Sequence, residues 1–95
     1  MTIKALKTDI LVVGAGPAGL TAGLYAARAG KKALVLEGSG PSRLGISYKL
    51  ENYPGFPEGL TGPQLAERMQ KQAEQFGTSI ETDLVTELDT NGPPF

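Results

Sequence analysis

The hexapeptide Gly14-Ala15-Gly16-Pro17-Ala18-Gly19 constrains this chain more than any other feature, because of what stands on either side of it. Before it, Thr8 to Val13 (TDILVV) is a nearly continuous apolar run, the pattern of a strand buried on both faces of a parallel sheet. After it, Pro17 to Ala29 (PAGLTAGLYAARA) spaces Leu20, Leu24 and Ala27 along one helical face, and Gly30 supplies a C-terminal stop. Lys31 and Lys32 lead into Ala33 to Leu36 (ALVL), a second short strand that ends at Glu37. A strand, a helix and a strand in about thirty residues dictate a right-handed crossover between parallel strands.

A G-x-G-x-x-G turn alone also fits an ordinary tight turn. Between a buried strand and a helix, each glycine gains a mechanical reason found in dinucleotide folds. Gly14 permits the sharp exit from the strand. Gly16 leaves no side chain between the backbone and a pyrophosphate, so the helix amides and the positive dipole end meet the phosphates directly. Gly19 lets helix and strand pack closely. Glu37, at the end of the second strand, can accept hydrogen bonds from the ribose hydroxyls of an adenosine and repels a 2′-phosphate, which disfavours NADP there. The plainer reading of Glu37 is a solvated charge after a strand.

The rest of the composition narrows the chemistry. Nine basic and ten acidic residues leave a net charge of -1, which gives no electrostatic footprint for nucleic acid or an anionic membrane. Cysteine and histidine are both absent, which removes thiolate nucleophiles, disulfides, Cys/His zinc sites and Ser-His triads from these residues. No catalytic or metal-ligating residue is assigned, and the expected contribution is binding. No apolar run is long enough to span a membrane, Met1 to Thr8 lacks the apolar core of a signal peptide, and a cytoplasmic protein is expected. Ninety-five residues make one small domain, whereas a complete two-nucleotide oxidoreductase needs roughly 250 or more.

From Gly38 to Leu60 the density of Gly and Pro predicts a loop. Thr61 and Gln64 have capping-box spacing, Pro63 suits a first helical turn, and Leu65, Met69, Ala73 and Phe76 form an apolar stripe ended by Gly77. Glu67 and Lys71 can pair at i, i+4. Thr78 to Thr82 and Leu84 to Leu88 read as two successive short strands, and Asn91-Gly92 is a hairpin signal with no partner strand after it.

VVGAGPAGLTAGLYAARAG, then ALVLEG, then LENYPGFPEGLTGPQLAERMQKQAEQFG closely resembles the N-terminal FAD-binding segment of low-molecular-weight thioredoxin reductases and their flavin-dependent relatives, over residues 8 to 95. The block ENYPGFPEGLTGPQL discriminates better than the glycine motif. The resemblance implies FAD on this domain, NADPH on a second domain, and electrons passed through the flavin to a disulfide held by a Cys-x-x-Cys pair elsewhere. It is compatible with a homodimeric parent protein and a thioredoxin-like acceptor. It also implies that Gly14, Ala15, Gly16, Pro17, Ala18 and Gly19 hold the pyrophosphate, and that Glu37 and Gly38 hold the adenosine ribose. Asn52 would lie close to the flavin, and Val85 would place backbone groups beside the adenine.

One stretch departs from the family. Where Gly-Gly-Gln-Leu is usual beside the flavin ring, this chain has Pro41-Ser42-Arg43-Leu44. Arg43 is either a fixed positive charge beside the flavin or a phosphate-contacting or solvent-facing side chain. The departure favours an atypical relative with another donor or acceptor over a strict thioredoxin reductase.

The expected fold is α/β: a Rossmann-like βαβ unit with parallel strands, a second helix and the start of a β-meander. Residues 1–95 would form one incomplete FAD-binding domain, with no second domain. The family's later Ala-Thr-Gly strand and Gly-Asp segment do not occur here, so the isolated chain is expected to bind FAD weakly or not at all and to be inactive alone. Two other readings stay open at this point: a small adenine-nucleotide module without redox chemistry, and a truncated fragment that self-associates.

Overall fold

The computed structural model describes residues 6–38 and 49–91. Arg43 and the rest of the atypical flavin-side stretch lie outside the described residues, as do Tyr48 and Gly92. The elements run β1 (Ile10–Val13), α1 (Pro17–Arg28), β2 (Ala33–Glu37), α2 (Gly62–Gln75) and β3 (Ser79–Thr82). The three strands form one sheet in the order β1-β2-β3, both pairings parallel, with Val13 opposite Leu36 and Glu37 opposite Thr82. Two right-handed crossovers in one direction put both helices on the same sheet face. Accordingly, α1 packs against β1, β2 and α2.

The core sits between that helical layer and β2. Leu20 and Ala26 of α1, Ala33 and Val35 of β2, and Leu65 and Ala73 of α2 are buried there, while Leu34 is buried on the opposite face of β2. The buried stripe of α1 also includes Gly23, while Leu24 and Ala27 are half-buried. Of the stripe expected on α2, Leu65 and Ala73 are enclosed but Phe76 is 48% exposed. Phe76 is the C-cap rather than a core residue, and the Arg28 guanidinium lies 5.5 Å from its ring centroid.

The apolar run of β1 is less enclosed than its sequence suggests. Val12 faces α1, whereas Leu11 and Val13 are 47% and 64% exposed. Side chains alternate across a strand, so these two lie on the face that no described helix covers. Beyond β3, Leu84 to Leu88 carry no regular structure, and Leu84, Val85 and Leu88 are exposed. The described chain therefore ends its regular structure as βαβαβ, and the strand expected at 84–88 is not formed. No described strand lies alongside to complete its backbone hydrogen bonds, and exposed apolar side chains give it no burial in return.

The start of α2 follows its sequence signal. Gln64 N donates to Thr61 Oγ1 at 3.2 Å and Thr61 N donates to Gln64 Oε1 at 2.9 Å, a reciprocal capping box. Glu67 and Lys71 pair at 3.1 Å on the solvent side, where such a pair adds only a few tenths of a kcal/mol, about 0.3–0.5. Thr61→Ala should lower stability by about 1 kcal/mol, read as a lower urea midpoint at unchanged slope. A midpoint that does not move would show that the cap contributes nothing to this helix.

Candidate functional site

The turn between β1 and α1 is built by backbone geometry. Gly14 adopts φ +106°, a conformation that L side chains rarely take, and its N–H still donates to the Leu36 carbonyl at 2.9 Å. The ladder between β1 and β2 thus extends to the first residue of the turn, and Glu37 follows directly beside it. The chain then re-enters regular structure at Gly16, the N-cap of α1, with φ −75° and ψ −175°.

No side chain caps α1 and its first turn has no acidic residue. Pro17 has no N–H, and the Leu20 N–H is taken by the Gly16 carbonyl at 2.9 Å. The remaining first-turn amides, on Ala18 and Gly19, have no acceptor within the helix. Those two donors and the positive helix end therefore present an anion-binding face. Among the described residues, a Cβ built on either Gly14 or Gly16 would meet nothing within 4 Å, so open space lies over the turn. At Gly19, by contrast, a Cβ would overlap the Gly14 carbonyl oxygen and come within 3.2 Å of Val12 Cγ1. The three glycines thus do three different things: one turns the chain, one leaves room, and one allows contact.

Glu37 and Gly38 stand at the carboxyl end of β2, next to this turn. The Glu37 carbonyl accepts from Asp83 N at 2.9 Å, and a Cβ on Gly38 would lie 3.4 Å from Leu84 Cδ2. The segment carrying Val85 is therefore held against the Glu37–Gly38 corner, and the Glu37 side chain remains exposed. Gly14 to Gly19, Glu37, Gly38 and the 83–85 segment all gather outside the carboxyl ends of parallel strands, where ligands of open α/β sheets bind.

Asn52 belongs to a different part of the molecule. The loop that carries it is closed by an antiparallel bridge, Leu50 N to Leu60 O at 2.7 Å and the reverse at 3.0 Å. Its aromatic residues pack onto the helices: Tyr53 and Phe56 have ring centroids 6.0 Å apart, and the Arg68 guanidinium sits 5.6 Å from the Phe56 ring centroid. With Leu20, Leu24 and Leu65 they line an open groove of about 190 Å³. Asn52 is exposed beside this packed loop, and Glu51 pairs with Lys49 at 3.4 Å in solvent. The contact between Gly23 and Thr78 is missed by sequence reasoning: Thr78 reads as the first residue of a strand, but β3 begins at Ser79 and the Thr78 hydroxyl is buried against α1. A glycine inside a helix, four residues after Gly19, is the signal that points to Gly23, and no local signal points to Thr78.

Residues 9–49 match the FAD binding domain family. A thioredoxin reductase of Rickettsia bellii is 45% identical over 91 residues, which is 95% of this chain and 29% of that protein. The chain is a thioredoxin reductase-like FAD-binding segment. Among solved structures, a thioredoxin reductase from Giardia duodenalis superposes with a TM-score of 0.87 at 38% identity, over 92% of this chain and 28% of that one. One from Gloeobacter violaceus gives 0.85 at 41%, over 90% and 28%. The thioredoxin reductase-like chain thus spans less than a third of the relatives it matches. Its cofactor is FAD, and a nucleotide module without redox chemistry is not favoured. Among the described residues, no helix is long and apolar enough to cross a membrane.

Proposed function

We propose that this segment holds the adenosine and pyrophosphate half of FAD within a cytoplasmic flavin-dependent oxidoreductase of thioredoxin reductase type. In this reading Gly14, Ala15, Gly16, Pro17, Ala18 and Gly19 cradle the pyrophosphate, with the Ala18 and Gly19 amides as donors. Glu37 accepts from the ribose hydroxyls, Gly38 gives the ribose close access to the backbone, and Val85 brings backbone groups to the adenine. Asn52 and Arg43 serve the flavin end. The observation that carries the reading is the open space over Gly14 and Gly16, facing the uncapped start of α1 and adjoining Glu37.

When bound, FAD supplies a two-electron relay from a reduced pyridine nucleotide to a disulfide acceptor. The chain's own residues bind and orient the cofactor and take no part in bond making. A second domain carrying NADPH, a thioredoxin-like acceptor and a homodimeric assembly complete the proposed activity, as the resemblance to thioredoxin reductases implies.

NMR titration reads millimolar as well as tighter binding, and it separates the two ends of the cofactor. ADP and FAD should shift the Ala18 and Gly19 amides, FMN should not, and 2′-phospho-ADP should bind more weakly than ADP. Glu37→Ala should weaken ADP by about tenfold, the scale of hydrogen bonds to a charged group, and should erase the discrimination against the 2′-phosphate. Equal responses to FMN and ADP would remove the assignment of this corner to adenosine and pyrophosphate.

A further inference from the structure

Thr78 is the buried polar side chain of the described core, with 4% of its surface exposed, and it lies far in sequence from the glycine turn. Its Oγ1 donates to the Gly23 carbonyl at 2.8 Å, across from the residue before β3 to the middle of α1. The same site is sterically tight: a Cβ on Gly23 would lie 2.8 Å from Val35 Cγ2 and 2.9 Å from Thr78 Cγ2. A carbonyl has two lone pairs, so Gly23 can accept from Thr78 while keeping its intrahelical bond. Helix α1 is thus fixed to the sheet at two points one turn apart, Gly19 against the Gly14 carbonyl and Gly23 against Val35 and Thr78. Two points define an axis. Remove the second and the helix can pivot about the first, which changes the direction of the Ala18 and Gly19 amides beside that pivot.

We propose that Thr78 is a positioning residue for the pyrophosphate site, acting through Gly23 to aim the start of α1. The proposal rests on the phosphate-turn reading above, and it assigns a task to a hydroxyl that touches no ligand. The hydroxyl of Thr78 is what the task needs. Thr78→Ser keeps it, while Thr78→Val keeps the shape and leaves Gly23 with its helical hydrogen bond, so no buried donor is orphaned.

Both variants are compared with the parent chain by amide NMR, by ADP and FAD titration and by thermal unfolding. Thr78→Val should shift the Ala18 and Gly19 amide resonances and weaken ADP and FAD by about fivefold to tenfold, with a melting temperature within a few degrees of the parent. Thr78→Ser should restore both the resonances and the affinity to within about twofold. Unmoved amides in Thr78→Val would overturn the positioning role even if nucleotide binds normally. A loss of affinity that Thr78→Ser does not rescue, or that tracks a large fall in melting temperature, would reduce Thr78 to a packing residue. If the parent chain shows moved amides in Thr78→Val but no response to ADP or FAD, the helix-aiming role stands and the phosphate reading falls.

Discussion

Gly19→Ala should be the most damaging single-methyl change at the described glycines. Helix propensity alone points the other way, because alanine in a helix is favoured over glycine by about 1 kcal/mol. The structure decides the sign. The new methyl would overlap the Gly14 carbonyl oxygen, sit 2.9 Å from the Gly14 carbonyl carbon and press on Val12 Cγ1. Two of those three atoms are backbone, held by the turn at Gly14 and by its hydrogen bond to Leu36, so no side-chain rotation relieves the clash. Overpacking in cores costs about 1–3 kcal/mol where side chains can yield, and here the helix must lift off β1. A loss at or above the upper end of that range is a large fraction of the about 5–15 kcal/mol that holds a typical small domain together. Urea unfolding should show a sharply lower midpoint, and the amide spectrum should lose the dispersed signals of the β1–α1 turn. A midpoint equal to or above that of the parent would mean that propensity, not packing, governs this position.

The contrast between local and long-range information explains what the sequence made legible. The βαβ unit, the limits of α1 and the capping box at Thr61 depend on residues within a few positions of one another, and the observed elements begin and end within a residue or two of the expected ones. Glu37 falls beside the glycine turn because parallel pairing puts Leu36 opposite Val13, a register that the two apolar runs already suggest. The errors came where a pattern needs a partner to mean anything. The alternation at 84–88 reads as a strand, but a strand exists only when a neighbour pairs with it, and the described residues supply none. Phe76 continues the apolar stripe of α2 by spacing, yet as the C-cap it turns out toward Arg28. By its sequence Thr78 opens a strand, whereas β3 begins one residue later, at Ser79. The hydrogen bond from Thr78 to Gly23 spans 55 positions and leaves no local pattern.

Gly16→Val should do the reverse of Gly19→Ala: leave the fold standing and abolish cofactor binding. At φ −75° and ψ −175° Gly16 already occupies extended backbone that valine adopts readily, and among the described residues a Cβ there meets no atom within 4 Å. The stability cost is the exchange of a tolerated N-cap residue for a poor one, about 1 kcal/mol. Binding is another matter, because the space that accommodates the isopropyl group is the space a pyrophosphate needs to reach the Ala18 and Gly19 amides. Loss of direct phosphate–amide contacts should raise the dissociation constants of ADP and FAD by on the order of a hundredfold or more, equivalent to about 2.8 kcal/mol. The decisive comparison is between the two variants in one set of measurements. Gly19→Ala should lose stability first and binding as a consequence. Gly16→Val should retain a native amide spectrum and a near-native unfolding midpoint while its Ala18 and Gly19 resonances stop responding to nucleotide. A folded Gly16→Val protein that binds ADP as the parent does would refute the phosphate-turn assignment, because the valine side chain and a phosphate cannot share that volume.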